Sequence, residues 1–218
     1  MLLHLVNFFI DALFPEKCSR CGRDGSVLCV TCLETRVERA PTDGIPDGVE
    51  AIFRYRDKLF SRALWRFKYT GNRTLASTFA EALNHELSSE LHAAVQFAGE
   101  KQILLVSIPS SKKRLRVFGF NQSDALAHAL ANTSPHFVYE KNILVRTRVA
   151  PRQATLKNRK ARLANMKDMF VVHEKNLVAG KSVIVIDDVT TTGATLIDAI
   201  KALKAAGARS ARGLALSH

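Results

Sequence analysis

Neither G-x-G-x-x-G nor G-x4-G-K-[ST] occurs anywhere in these 218 residues, which excludes a Rossmann dinucleotide site and a P-loop. Six prolines and eleven glycines are too few for collagen-like repetition or a low-complexity chain. Acidic residues are scarce: 20 against 32 Lys and Arg leaves a formal net charge of +12. Such a field favours polyanionic partners, namely nucleic acids, nucleotides and phosphorylated small molecules. Long apolar runs are missing too. The greasiest segment, Met1 to Pro15, contains Asp11, has no basic start and no small-residue cleavage site, and falls short of the ~20 residues that span a bilayer. It reads as an amphipathic helix packed on the body, with a peripheral membrane contact ranked last, and no integral membrane insertion is expected. Cysteine is absent outside residues 18–32.

What is present points to a folded protein. A 47% hydrophobic and 24% charged composition can bury a real core, and the length suits one large domain or one domain plus a satellite. The charge is localised: thirteen Lys and Arg between residues 112 and 167 meet only Asp124 and Glu140 there, so this third of the chain carries nearly all the excess. The four cysteines, Cys18, Cys21, Cys29 and Cys32, read C-x2-C-x7-C-x2-C. Two such hooks can close a tetrahedral four-sulfur shell, which leaves no open position and implies a structural Zn2+ rather than a catalytic one. The alternative, a pair of disulfides, needs an oxidising compartment that nothing here indicates; a reduced, cytoplasmic chain is expected.

The linker APTDGIPDG, Ala40 to Gly48, divides an N-terminal helix and zinc module at residues 1–40 from a larger domain at 49–218. A strand fits Glu50 to Tyr55. In the helix Leu59 to Tyr69 the apolar spacing assigns Trp65 or Phe67 to the core in preference to a base-stacking platform, and Lys68 with Gly71 is the more suggestive pair. Beyond the helical stretch Arg73 to Phe97, strands at 103–108, 143–147, 168–172, 182–187 and 211–216 alternate with helices at 121–132 and 195–206. The fold class is therefore α/β, an open, mainly parallel twisted sheet.

The sharpest signal is V-I-V-I-D-D-V-T-T-T-G-A-T, Val183 to Thr195. An apolar strand runs into two acids, a hydroxyl-rich turn and a helix, a junction that lies at the ligand-binding edge of an open sheet. Thr190, Thr191, Thr192, Gly193, Ala194 and Thr195 can hold a phosphate through backbone amides and hydroxyls. Asp187 and Asp188 can reach two neighbouring hydroxyls, as on a ribose. A phosphate and a diol together describe a ribose 5-phosphate.

This run closely resembles the phosphoribosyl-diphosphate motif of type I phosphoribosyltransferases. With R-L-R-V-F-G-F-N-Q from Arg114, the CxxC hooks, and the Arg146, Gln153, Leu156, Arg159, Arg162, Asn165 and Phe170 spacing, nearly the whole chain resembles the ComF/GntX family of competence-associated proteins. Phe118 departs from that pattern, which usually has Arg there; Arg114 and Arg116 stand near enough to substitute. The resemblance implies a type I phosphoribosyltransferase fold and phosphoribosyl diphosphate as ligand. Ser110, Ser111, Lys112, Lys113 and Arg114 would face the diphosphate, and Mg2+ would bridge it to the ribose. Asp187 and Asp188 would be the catalytic carboxylates, stabilising an oxocarbenium-like centre. Lys157, Arg159 and Arg162 would belong to a hood over the diphosphate or contact nucleic acid. Thr191 occupies the place where purine-salvage relatives carry an acid, which argues against purine salvage. The competing reading is a non-catalytic, zinc-containing single-stranded DNA-binding competence factor. Other DNA-uptake or recombination proteins are the expected partners.

Overall fold

A computed structural model describes residues 16–97, 102–147 and 169–218. The expected helix at Met1 to Pro15 and the hood residues Lys157, Arg159 and Arg162 lie outside the described residues. The elements in chain order are α1 (Val30–Arg36), β1 (Val49–Phe53), α2 (Lys58–Thr70), α3 (Arg73–Phe97), β2 (Ile103–Ser107), α4 (Lys112–Phe118), α5 (Gln122–Ala131), β3 (Phe137–Tyr139), β4 (Leu144–Arg146), β5 (Phe170–Val172), α6 (Lys175–Val178), β6 (Ser182–Val189), α7 (Ala194–Ala205) and β7 (Ser210–Ser217).

The main sheet is five-stranded, in the order β1-β7-β6-β2-β3, and every pairing in it is parallel. The central strand β6 explains why its sequence is a continuous apolar run: both faces are covered. Ile184 and Ile186 join one core with Phe60, Phe67, Phe79, Leu83 and Leu126 from α2, α3 and α5. Val183 and Val185 join a second core with Leu196, Ala199 and Leu203 of α7. The alternation is the two-residue period of a strand, and two fully buried faces make three layers.

Two strands depart from the parallel sheet that the sequence suggests. Segments expected at 143–147 and 168–172 form a separate antiparallel ribbon, with Leu144 opposite Val172 and Arg146 opposite Phe170. The ribbon is half-buried: Leu144 and Phe170 sink into the second core, while Val145 and Val171 face solvent. Arg146 lies over the Phe170 ring at 5.0 Å and donates from Nε to the Pro109 carbonyl at 2.9 Å, tying the ribbon to the loop after β2. Trp65 is a second correction. Phe67 is buried as expected, yet Trp65 is 59% exposed, because it lies on the face of α2 that turns away from the sheet.

The cysteine-bearing segment shares the first core. Leu28, Leu33 and Val37 cluster with Phe79 and Leu83 of α3, and the Thr78 hydroxyl donates to Ser26 Oγ at 3.0 Å. Among the described residues no helix is long and apolar enough to cross a membrane.

Candidate functional site

All five parallel strands end on one edge, and the topology singles out one point along it. The connection from β2 to β3 passes through α5 in the first layer, while that from β6 to β7 passes through α7 in the second, on the opposite face. The crevice between the carboxyl ends of β2 and β6 is thus the switch point of the sheet, where an open α/β fold receives its ligand. Asp187 and Asp188 end β6 at that point.

The two acids have opposite surroundings. The Asp188 side chain is 1% exposed; Lys68 Nζ from α2 stands 3.0 Å from Oδ2, and Arg114 from α4 donates to Oδ2 at 3.0 Å and to Oδ1 at 3.3 Å. Burial alone would raise its pKa, but the two cations outweigh burial and hold the carboxyl below its ordinary value. Asp187 forms no ion pair among the described residues, and the one described cation that feels its charge is Arg146. Its Oδ1 accepts from Ser123 Oγ and from the Asp188 N–H, both at 2.9 Å. Burial first, and then the charge of Asp188, push it up to about 7. One member of the pair is a fixed anion and the other is poised to carry a proton near neutrality.

Each partner is delivered by a local device. The Asp57 carboxylate caps α2 by accepting from the Leu59 and Phe60 amides, and Gly71 closes the helix at φ 61°, leaving Lys68 in the last turn aimed at the strand edge. Ser111 caps α4 by accepting from the Arg114 amide. The expected cationic loop is therefore the start of a helix. Lys112 and Lys113 lie exposed on its first turn, and within that run Arg114 is the side chain that reaches Asp188. Ser110 donates to Asn121 Oδ1 at 2.9 Å, and Asn121 donates to the Ile108 carbonyl at 3.0 Å, so Ser110 shapes the loop from within it. Lys68 was visible as a lysine inside an apolar helical pattern; Ser123 gave no signal beyond its place next to Phe-Asn-Gln.

The turn after the acids is braced from inside. Thr190 is buried, its amide donates to the Ser217 carbonyl, and its Oγ1 accepts from the Gly193 amide at 3.1 Å. Thr192 Oγ1 accepts from the Ala194 amide at 3.4 Å. Gly193 is the N-cap of α7 at φ 69°, with no side-chain cap, so the first-turn amides of Thr195 and Leu196 face the edge. That gives a helix N-terminus suited to an anion. A Cβ on Gly193 would lie 2.5 Å from Pro46 Cδ, so the linker packs where any side chain would go. Gly193→Val should therefore strain the turn by about 1–3 kcal/mol and abolish inorganic phosphate binding. Urea midpoints and a phosphate titration check it; a variant that still takes up phosphate would separate the turn from the anion site.

The four sulfurs, Cys18, Cys21, Cys29 and Cys32, lie within 4.8 Å of one another, and all four cysteines are free. Cys21 and Cys29 approach to 3.7 Å, far too long for a disulfide and close to the ~3.8 Å edge of a zinc tetrahedron with 2.3 Å bonds. Burial, then the neighbouring sulfurs, push the Cys32 thiol up to about 12. Four thiolates in that space require a cation, and the donor set fits Zn2+.

A phosphoribosyl transferase domain model matches residues 115–216. Competence protein ComFC of Streptococcus pneumoniae is 29% identical over 213 residues, covering 91% of this chain and 86% of that protein. Its Bacillus subtilis namesake is 29% identical over 191 residues, covering 85% and 70%. The likeness to both ComFC proteins runs over most of this chain and, with the domain match, supports the ComF family and a phosphoribosyltransferase fold. DNA utilization protein YhgH of Escherichia coli K12 is 28% identical to this chain over 197 residues, covering 88% and 84%. A hypoxanthine phosphoribosyltransferase of Trypanosoma cruzi superposes at a TM-score of 0.38 and 11% identity, over 66% of this chain and 62% of that one.

Proposed function

We propose that this protein binds phosphoribosyl diphosphate at the β6 edge and serves a DNA-uptake or DNA-utilisation process as its relatives' names suggest. The observation that carries the reading is the asymmetric acid pair beneath two cations and beside an uncapped helix N-terminus. The α7 turn takes the 5-phosphate, the acids take the ribose hydroxyls, and Lys68 and Arg114 stand where a diphosphate would emerge. Lys112 and Lys113 sit at the positive end of α4, where cations are least favoured, and a nearby polyanion would offset that cost.

The chain's own residues define what transfer would need. Cations over the leaving diphosphate stabilise the charge it gains, and a carboxylate beneath the anomeric carbon stabilises the charge that develops there. Asp187, protonated near neutrality, can donate to a ribose hydroxyl while ionised Asp188 accepts from its neighbour. Mg2+ would add charge neutralisation on the diphosphate, and the ionised Asp188 is the residue of the pair that could help hold it. Calorimetric titration with phosphoribosyl diphosphate plus Mg2+ tests the reading, alongside diphosphate release in the presence of nucleobases. One-to-one binding supports it, diphosphate release would make it a transferase, and no heat of binding in fully zinc-loaded protein would refute it.

A further inference from the structure

The chain has one tryptophan and three tyrosines, and three of these four large amphipathic rings line one cleft. Tyr55, Trp65 and Tyr69 are 47%, 59% and 52% exposed. The cleft, of about 810 Å³, runs along the outer face of α2 beside the cysteine-bearing segment. Trp65 and Tyr69, one helical turn apart, hold their ring centroids at 4.8 Å with planes only 30° apart, and Phe118 meets Tyr69 edge-on at 5.0 Å. Arg62, Arg66 and Lys68 also line the cleft, and no described acidic residue does. Arg66 shares its charge with Glu16, and Lys68 with Asp188, whereas Arg62 has no ion pair among the described residues. Three large rings exposed together on one face mark an interaction surface.

We infer that this cleft is a stacking platform for single-stranded nucleic acid, with bases laid on Trp65 and Tyr69 and phosphates followed by Arg62 and Arg66. The occupant must present flat π-faces and negative charge together, which is what an unpaired nucleotide strand offers. A duplex does not fit, because its base faces are already stacked on each other. An acidic peptide supplies charge without a run of planar faces. Phe118 acquires a part as well, since its ring buttresses Tyr69 edge-on. The cleft's cations come from α2 and not from the basic 112–167 stretch where the sequence leads one to expect nucleic acid; Phe118 alone of that stretch's described residues lines it. It shares Tyr55 and Lys68 with a second cleft of about 560 Å³ lined by Thr190 and Thr191, so a bound strand would pass close to the acid pair.

Because Trp65 is the single tryptophan, its fluorescence reports this site and no other. Titrating the zinc-loaded full chain with a twenty-residue oligothymidylate should quench the emission, and Trp65→Ala should weaken binding, read by anisotropy of a labelled oligonucleotide, by roughly 5- to 100-fold. Trp65→Phe should restore affinity to within a few-fold. An abasic oligomer of equal charge should bind weakly and leave the tryptophan unquenched, and Arg62→Ala should reduce the slope of log K against log salt by about 0.7. Oligouridylate run in parallel tells whether DNA or RNA is preferred; quenching by either supports the platform. Equal quenching by the abasic oligomer, or Trp65→Ala binding like the parent, would overturn it. So would a blue-shifted emission indifferent to oligonucleotide, which would mean that the chain's own apolar residues 1–14 occupy the cleft. Trp65→Ala should still take up phosphoribosyl diphosphate plus Mg2+ in calorimetry, so failure of the ribose phosphate reading and failure of the platform are read separately.

Discussion

Asp188→Asn should destabilise the protein by about 3 kcal/mol, whereas Asp187→Asn, one residue earlier, should be neutral or stabilising above pH 7. Asp188 is the counter-ion of Lys68, whose side chain is 17% exposed, and of Arg114, whose side chain is 42% exposed. Removing one partner of a buried pair typically costs about 3–5 kcal/mol; water screening at Arg114 places this case at the low end. Asp187 is different because its ionised form is disfavoured by burial and by Asp188. Asn keeps the acceptor for Ser123 and for the Asp188 amide while removing the repelling charge.

The same asymmetry fixes the pH dependence. Native Asp187 keeps a proton that the unfolded chain releases near pH 4, so its contribution is fully present below that and is lost as pH rises towards about 7, by up to ~1.4 kcal/mol per pH unit. Asp188, with its pKa lowered, contributes stability that is present at neutral pH and lost as pH falls. The gain from Asp187→Asn should therefore grow between pH 4 and pH 7. Denaturant midpoints at pH 5 and pH 8 check it, and equal losses for both variants at pH 8 would contradict the assignment.

Stripping metal from the cysteine cluster should have a still larger effect. One zinc per chain is expected on metal analysis of reduced protein. The ligands belong to the core that α3 and the sheet share: Cys18, Cys29 and Cys32 are buried with Leu28, Leu33, Phe79 and Leu83. Releasing the ion leaves thiols in a space built for a charged cluster and uncovers one side of α3. A loss of at least ~5 kcal/mol follows from removing a structural metal, or about 10–20 °C in Tm for a chain of this size. Chelation under reducing conditions, followed by thermal unfolding with and without added Zn2+, measures it. A metal-free chain that melts at the parent temperature would show that the sulfurs are ordinary core residues.

The parts of this fold that were legible in the sequence are those dictated by local pattern. The continuous apolar run of β6, the turn Thr190 to Thr195 and the CxxC hooks each carry their structure within a dozen or so residues, and the strands, helices and clustered sulfurs appear as read. What was not legible depends on contacts distant in sequence. β4 and β5 are three residues each, and nothing in such short segments says whether a strand joins the main sheet or pairs antiparallel outside it. The helical period correctly buried Phe67 but could not tell which neighbouring face lacked a cover, so Trp65 was misplaced. Lys68 and Asp188 stand 120 positions apart, and Ser123 and Asp187 stand 64 apart; only the closed sheet brings them together.

If the β6 edge holds a ribose 5-phosphate, its two halves should fail separately, and titration of truncated ligands against two variants tests that most directly. With Asp187→Asn/Asp188→Asn, phosphoribosyl diphosphate plus Mg2+ should bind more weakly by about 1.5–3 kcal/mol for each charged hydrogen bond lost, while inorganic phosphate binding barely changes. With Gly193→Val both ligands should be lost. If the double Asn variant binds phosphoribosyl diphosphate as well as the parent or better, Asp188 is only the counter-ion of Lys68 and Arg114, and the β6 edge is not a ribose phosphate site.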